Sequence, residues 1–440
     1  MRSIVTVCVV VLLIGCGDRA GKGGPDAGSD GTPPEPCEGL RCQVTDCAKQ
    51  GRPATTLSGT VFAPNGTMPL HGINVYVPNR DPGPLTEGAQ CTRCVSQLPG
   101  EPIALAVTDE EGKFTLPHVP DGGDIPLVIT VGKWRRQITI PAVAACTDNP
   151  LPAAQTSLPR NKAEGDLPKI AMVTGAWDAL ECLVRKLGVD DAEFTNDGGD
   201  GRVHLFVANG SNRTMAGQMF APASSLWGDL DKMKQYDLAM FSCEGEQRAA
   251  EKSLAMMNAV KAYGDFGGRL FLSHYHHIWI AGAYGNPTHA PPAWPTVATC
   301  DLDLEPLGVG KIDEVNNPRG TAFARWMANV GGSATYGELP IMDARQTCRT
   351  IDPEKAERWV YLQSGASEIL QNFQFTTPIE VGAAERCGKV VLSDMHVSSG
   401  SLSRPELPFP MGCSAAPMTP QEKALAFMFF DIASCVGPIF

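Results

Sequence analysis

The 440-residue sequence predicts two architectures in one chain: a small all-β module, then an open, mostly parallel α/β sheet. Two patterns predict this. From 57 to 140 the apolar residues fall in short alternating runs broken by Gly, Pro and Asp turns, the mark of strands with one buried face. From 168 onward, short continuous apolar runs alternate with segments of helical period, which is how helices come to cover a parallel sheet. A hydrophobic share of 43% supplies material for both cores, and 15 cysteines point to an oxidising compartment.

Met1-Arg2-Ser3 carries one positive charge, and 4–14 is an almost unbroken apolar run. That length fits a signal-peptide core and falls short of the ~20 residues of a membrane span. The run ends Leu13-Ile14-Gly15-Cys16, which resembles the bacterial lipobox. The resemblance implies that 1–15 is removed and that Cys16 is acylated. Acylation would tie the chain to a membrane of the bacterial cell envelope, on its periplasmic or outer surface. Of the 15 cysteines, loss of Cys8 and acylation of Cys16 leave 13, an odd number, so at least one thiol stays free or pairs between chains.

Residues 16–36, dominated by Gly, Pro, Asp and Ser, read as a flexible tether. Cys37, Cys42 and Cys47 mark a Cys-rich collar over 37–56. With Cys91, Cys94 and Cys146 they make six, expected mostly to pair with one another. Cys91-Thr92-Arg93-Cys94 reads as a loop disulfide, because no second CxxC completes a zinc site.

The β module spans 57–145, with strands at 57–62, 73–77, 127–131 and 134–140, a turn leading into a strand over 108–116, and turns at Pro64-Asn65-Gly66 and Pro120-Asp121-Gly122-Gly123-Asp124. The stretches SGTVFAPNGTMPLHGINVYV and VTDEEGKFTLPHVPDGGDIPLVITVGKWRRQITI hold Gly59, Pro69-Leu70, Asp109, Gly112-Lys113-Phe114 and Val119-Pro120 in order. They resemble the carboxypeptidase-regulatory-like domain, a transthyretin-like β-sandwich. The resemblance implies a structural or adhesive spacer without catalytic residues. Lys133-Trp134-Arg135-Arg136 reads as a solvated strand face, with contact to an anionic glycan as the alternative. Pro-rich 146–167 reads as a linker.

In 168–440, apolar runs place strands at 169–174, 203–207, 237–241, 269–273 and 389–393, with helices at 178–187, 226–235 and 250–263. The stretch 285–385 is less regular, holds strand-like pieces such as Trp359-Val360-Tyr361-Leu362, and reads as an elaboration. Thr419-Pro420-Gln421-Glu422 is a capping box with Pro at the first helical position, opening a final helix.

Ligands of open α/β sheets bind beyond the carboxyl ends of the strands. Those ends read Thr174-Gly175-Ala176-Trp177-Asp178, Ser242-Cys243-Glu244-Gly245-Glu246, Ser273-His274-Tyr275-His276-His277 and Asp394-Met395-His396. Cys243, Glu244, His274 and His396 are the candidates for acid–base or nucleophilic work. Trp177, Asp178, Ser273, His276 and Asp394 are candidate ligand contacts. His274, His276, His277 and His396 are candidate metal ligands, for which Zn²⁺ is the matching ion, although no cofactor is expected and hydrogen-bonded cleft histidines are the plainer reading. Strand alternation puts 274 and 276 on one face and 277 on the other. Parallel strand ends predict that Cys243, Glu244, His274, His276 and His396 surround one depression. Asn196-Asp197-Gly198-Gly199-Asp200-Gly201 hints at a Ca²⁺ loop, but Val207 stands where the twelfth-position acid belongs, so a turn is expected.

KIAMVTG, YDLAMFSCEGE, FGGRLFLSHYHH and GKVVLSDMH, closed by a helix, resemble the class I glutamine-amidotransferase-like superfamily, most of all its trehalose-utilisation-like branch. The resemblance implies a nucleophilic cysteine after the strand at 269–273, and a histidine then an acid after the last strand. Here Ser273-His274 replaces the cysteine. His396 stands near the histidine position, and Ser398 stands where the acid belongs. The glutaminase triad does not carry over. Cys243 lies on a neighbouring strand end, where relatives supply oxyanion-hole backbone.

A formal charge of −12 is the reverse of the basic balance a nucleic-acid binder usually shows, so no nucleic acid is expected as a partner. Three functions stay open: a non-catalytic envelope lipoprotein binding a carbohydrate or peptide; a secreted hydrolase using the strand-end His/Cys/Glu cluster, with or without a metal; and a structural or adhesion module.

Overall fold

A computed structural model describes residues 37–437 except 95 and 287. The signal-like run, Cys16 and the tether lie outside the described residues. The chain is mixed α/β with several sheets and few helices. No helix among the described residues is long and apolar enough to cross a membrane.

The first part holds β1 (Thr56–Thr60), β2 (Asn74–Pro78), β3 (Pro102–Val107), β4 (Lys113–Pro117), β5 (Gly122–Val131), β6 (Trp134–Val143) and β7 (Asp148–Pro150). They form two sheets, ordered β4-β1-β7 and β3-β2-β5-β6. In β4 only Phe114 and Leu116 are buried, the alternation of a strand with one wet face. Both sheets contribute to one apolar core, Leu57 and Leu116 from the first and Val75, Leu127 and Ile129 from the second. β7 lies in the stretch read as a linker and pairs in parallel with β1.

Two expectations fail here, the loop disulfide at Cys91 and Cys94 and the solvated strand face. Cys47 does pair with Cys146, and Cys37 and Cys42 are disulfide-bonded. Cys91 and Cys94, however, reach Cys387 and Cys435, across 296 and 341 residues. The cause is the course of their loop, which runs along the α/β part: the Cys94 amide donates to the Val436 carbonyl, and the Val436 amide donates to Thr92. Nor is Lys133-Trp134-Arg135-Arg136 a solvated face. Trp134 is buried, and the three cations pair with Asp237, Asp166 and Glu164.

The second part holds β8 (Ile170–Thr174), β9 (Phe194–Thr195), β10 (Val203–Val207), β11 (Ala221–Pro222), β12 (Leu238–Phe241), β13 (Arg269–Ser273), β14 (Ala298–Leu304), β15 (Val309–Ile312), β16 (Glu338–Leu339), β17 (Gln346–Ile351), β18 (Ala356–Ser364), β19 (Ser367–Thr377) and β20 (Gly388–Ser393). Eleven strands form one sheet, ordered β11-β10-β8-β12-β13-β20-β19-β18-β15-β16 with β9 beside β10. Neighbours from β11 to β20 run parallel, and those from β20 to β16 run antiparallel. The stretch 285–385 thus continues the sheet, while β14 and β17 pair apart from it.

The parallel strands are mostly apolar because both faces are covered. Met172, Met240, Phe271 and Val391 face a core shared with the helices Leu180–Lys186, Gly320–Asn329 and Pro420–Ala433. Ala171, Val173, Ala239, Leu270 and Leu272 face the opposite core, with Met257, Val260 and Tyr263 of the helix Leu254–Phe266. The helix expected over 226–235 is two single turns, Ser224–Trp227 and Leu230–Met233. Asp229 breaks them by capping the second, accepting from the Lys232 amide.

The described residues from 38 onward make one compact unit. Trp134 of β6 packs on Phe429 and Phe430 of the final helix, with ring centroids 5.7 and 5.5 Å away. The turn at Asn65 docks on the end of the helix Leu180–Lys186, its amide donating to Leu187.

Candidate functional site

β12, β13 and β20 are adjacent and parallel, so their carboxyl ends open on one edge. Cys243 comes two residues after β12, His274 directly after β13, and His396 three after β20. The turn after β13 decides which histidines share that edge. His274 has a φ of +47°, a left-handed conformation that costs a non-glycine residue roughly 1–3 kcal/mol. It opens a 3₁₀ turn, His274–His277, so the expected strand alternation does not apply.

His274 therefore faces the cleft while its neighbours turn inward. Nε2 of His276 bonds the Ser242 carbonyl at 2.9 Å, and its Nδ1 accepts from the Trp279 indole at 2.8 Å. Nε2 of His277 contacts the Tyr284 hydroxyl at 2.9 Å and the Gln247 amide at 3.2 Å. Both rings are fully buried. The four histidines thus do not form one ligand set, and His276 does not border the depression.

Several other candidate side chains fasten the strand ends together. Asp178 accepts from the Ser273 hydroxyl at 2.6 Å and from the Val397 amide at 2.9 Å, joining the ends of β8, β13 and β20. Asp394 accepts from the Thr347 amide and hydroxyl, both at 2.8 Å, and burial pushes its carboxyl up to about 7. Glu244 is buried against Lys252 at 3.0 Å; burial raises its pKa, with Lys252 opposing. Asn196–Gly201 contains a turn, and Asp197 pairs with Lys232.

What remains is a cleft of about 210 Å³ floored by Cys243, His274 and His396. Trp177 stands at its rim, 64% exposed, against Gly245, where a Cβ would come within 2.2 Å of the indole. The other walls are Tyr275, Asp303, Glu305 and Arg345. Tyr275 hydrogen-bonds Asp303, and Glu305 pairs with Arg345. Asp303, Glu305 and Arg345 went unnoticed in the sequence, because they fall in 285–385 and follow none of the apolar strands that flagged the other ends.

On the floor, Cys243 Sγ lies 3.3 Å from His274 Nδ1 and accepts from the Gly245 amide at 3.3 Å. The His274 and His396 rings are 5.1 Å apart. Cys243 is a free, buried thiol, and burial pushes it up to about 12. Burial, with His396 beside it, pushes His274 down to about 2, and burial lowers His396 as well. At neutral pH the floor is therefore a thiol and two neutral imidazoles, not a thiolate–imidazolium pair. Nε2 of His274 and Nε2 of His396 are buried without a hydrogen-bond partner.

No family model matches the chain, and no curated protein does. Among solved structures, a ThuA-like protein from Bacteroides uniformis aligns at 12% identity over 60% of this chain and 90% of its own, with a TM-score of 0.32. Two interface mutants of a type II cohesin–X-dockerin complex from Acetivibrio cellulolyticus align at 19% identity over 34% and 31% of this chain and 79% and 85% of theirs. Their TM-scores are 0.16 and 0.17.

Proposed function

We propose that the protein is a lipid-anchored envelope protein that binds a carbohydrate without turning it over. The observation that carries this reading is Trp177, an exposed indole at the rim of a cleft walled by Asp303, Glu305 and Arg345. A sugar ring offers C–H groups to an aromatic face and hydroxyls to carboxylates and a guanidinium. About 210 Å³ lies below the ~300–1,000 Å³ of drug-sized pockets, so the cleft admits one ring-sized group at a time.

The chemistry of the floor supports binding over turnover. Burial keeps the uncoordinated Cys243 thiol protonated, and among the described residues no carboxylate orients His274 as the third member of a triad. Glycosidases need two working carboxyl groups. Here Glu244 is held by Lys252, Glu305 by Arg345 and Asp303 by Tyr275. In this reading 57–145 is a carboxypeptidase-regulatory-like sandwich serving as a spacer. Residues 168–440 are a glutamine-amidotransferase-like domain of the trehalose-utilisation-like branch, with the nucleophile gone and the cleft kept. The two small sheets with one common core, and the parallel run from β11 to β20, support it. Cys16 carries the lipid.

Titration of the full-length protein with mono- and oligosaccharides, beside a peptide library, tests the reading. A sugar should bind, and Trp177→Ala should weaken it at least tenfold with the near-ultraviolet dichroism intact. Unchanged sugar affinity in that variant, or binding of peptides alone, refutes the ligand class. In the same preparations Cys16→Ser should move the protein out of the detergent phase; a variant that stays there refutes the anchor.

A further inference from the structure

We infer that Cys243, His274 and His396 together bind one zinc-class cation at the floor of the cleft. Among the described residues this is the single set of Cys, His, Asp or Glu side chains whose donor atoms all lie within 4.8 Å of one another. The set differs from the one the sequence suggested: it gains the thiol and loses His276 and His277, both of which are hydrogen-bonded elsewhere.

The chemistry of the donors selects the ion. One sulfur and two imidazole nitrogens suit Zn²⁺, Co²⁺ and their borderline neighbours, while Ca²⁺ and Mg²⁺ want oxygen. Zinc bonds of ~2.0 Å to nitrogen and ~2.3 Å to sulfur set tetrahedral edges of roughly 3.5 Å. The Sγ–Nδ1 separation of 3.3 Å already matches such an edge. The His396 donor lies within 4.8 Å of the other two and has to close in to complete the face. The orphaned Nε2 of His396 is a second, independent sign, since a buried polar atom without a partner costs roughly 1–3 kcal/mol unless something binds it.

The surroundings are those of a ligand sphere. The Gly245 amide donates to Sγ, as second-sphere groups do to coordinating thiolates. Binding exchanges the S–H bond of Cys243 for an S–metal bond and releases one proton to solvent, while both imidazoles enter neutral. Three protein donors leave the fourth position open toward the cleft, for water or for an oxygen of whatever enters. The left-handed backbone at His274 has a use here, since it aims that ring at the thiol and away from its histidine neighbours.

The test reads the metal on the protein alone, so it succeeds or fails independently of sugar binding. The full chain, disulfides intact, is stripped with chelator and titrated with Co²⁺, then with Zn²⁺. One Co²⁺ per chain should bind, with a thiolate-to-cobalt charge-transfer band and the intense visible bands of a tetrahedral ion, and Zn²⁺ should displace it. Cys243→Ser should abolish the charge-transfer band. His274→Asn, chosen because asparagine tolerates the left-handed backbone, and His396→Gln should each weaken binding by more than the roughly 10–100-fold that second-sphere changes cost. Trp177→Ala and His276→Gln should leave the spectrum unchanged. A folded wild-type chain that binds no stoichiometric Co²⁺ or Zn²⁺ overturns the inference, as does a charge-transfer band that survives Cys243→Ser.

Discussion

Glu181 shows what burial does to a single carboxyl group here. It lies in the first turn of the helix Leu180–Lys186, and burial pushes it up to about 7, with a hydrogen bond from Ser403 opposing. In the unfolded chain its pKa is 4.5. Between those values the folded state holds a proton that the unfolded state has released. The stability tied to protonated Glu181 is therefore complete below about pH 4.5 and is lost as pH rises through about 7. At roughly 1.4 kcal/mol per pKa unit this comes to about 3 kcal/mol. Glu181→Gln should flatten that part of the pH–stability curve: similar to the parent in urea at pH 5, more stable at pH 8. An unaltered slope in the variant would show that Glu181 ionises freely. At this scale the sequence is read unevenly. That Cys243, His274 and His396 share an edge followed from three strand ends, because strand direction is written in the apolar runs. Which histidines of His274-Tyr275-His276-His277 face the cleft did not follow, because one left-handed residue decides it and no residue type in the run announces it.

The final helix, Pro420–Ala433, was legible to the residue at its start, since caps are local chemistry. The Thr419 hydroxyl accepts from the Glu422 amide at 3.2 Å, and Glu422 accepts back from the Thr419 amide at 2.9 Å. Glu422 also takes bonds from Ser399 and Lys186, so the cap ties the helix to the loop after β20 and to the helix Leu180–Lys186. Thr419→Ala should cost about 1 kcal/mol. Because Phe427, Phe429 and Phe430 of this helix lie in the main core, the loss should lower the urea midpoint without changing the slope. A midpoint within error of the parent would mean that the loop, not the cap, positions the helix. Apart from the strand-like piece at 359–362, which lies in β18, the strands of 285–385 were hidden for the opposite reason. Gln371, Asn372, Gln374, Thr376 and Thr377 of β19 are buried polar residues, and they break the apolar run by which a central strand is recognised. Their partners come from distant residues: Gln374 donates to Glu357 and Gln371 to the Arg345 carbonyl. No local window contains such pairs. The parallel strands were visible because helices cover both faces and their central positions form short apolar runs.

At the scale of the whole molecule, the question is whether the β part and the α/β part unfold separately. An apparent linker and a change of pattern at 168 suggest two cooperative units. The packing argues for one. Trp134 sits on Phe429 and Phe430, the Trp326 indole donates to the Pro69 carbonyl, and a single apolar cluster runs from Leu57 to Ile432. Cys91–Cys387 and Cys94–Cys435 cross the same seam. Closing loops of that length restricts the unfolded chain, and each bridge should contribute about 2–5 kcal/mol. The bridges and the core make separable predictions. If the core alone couples the two parts, the quadruple variant Cys91→Ser, Cys94→Ser, Cys387→Ser, Cys435→Ser should still melt in one calorimetric transition, at a lower temperature. If the bridges do the coupling, that variant should melt in two, the smaller belonging to 56–150. We expect one, because Trp134 and the apolar cluster remain when the sulfurs are gone, and their separation would expose the aromatic rings of both parts to water. Two transitions in the variant would mean that the seam is held by covalent bonds and that the shared core follows from them.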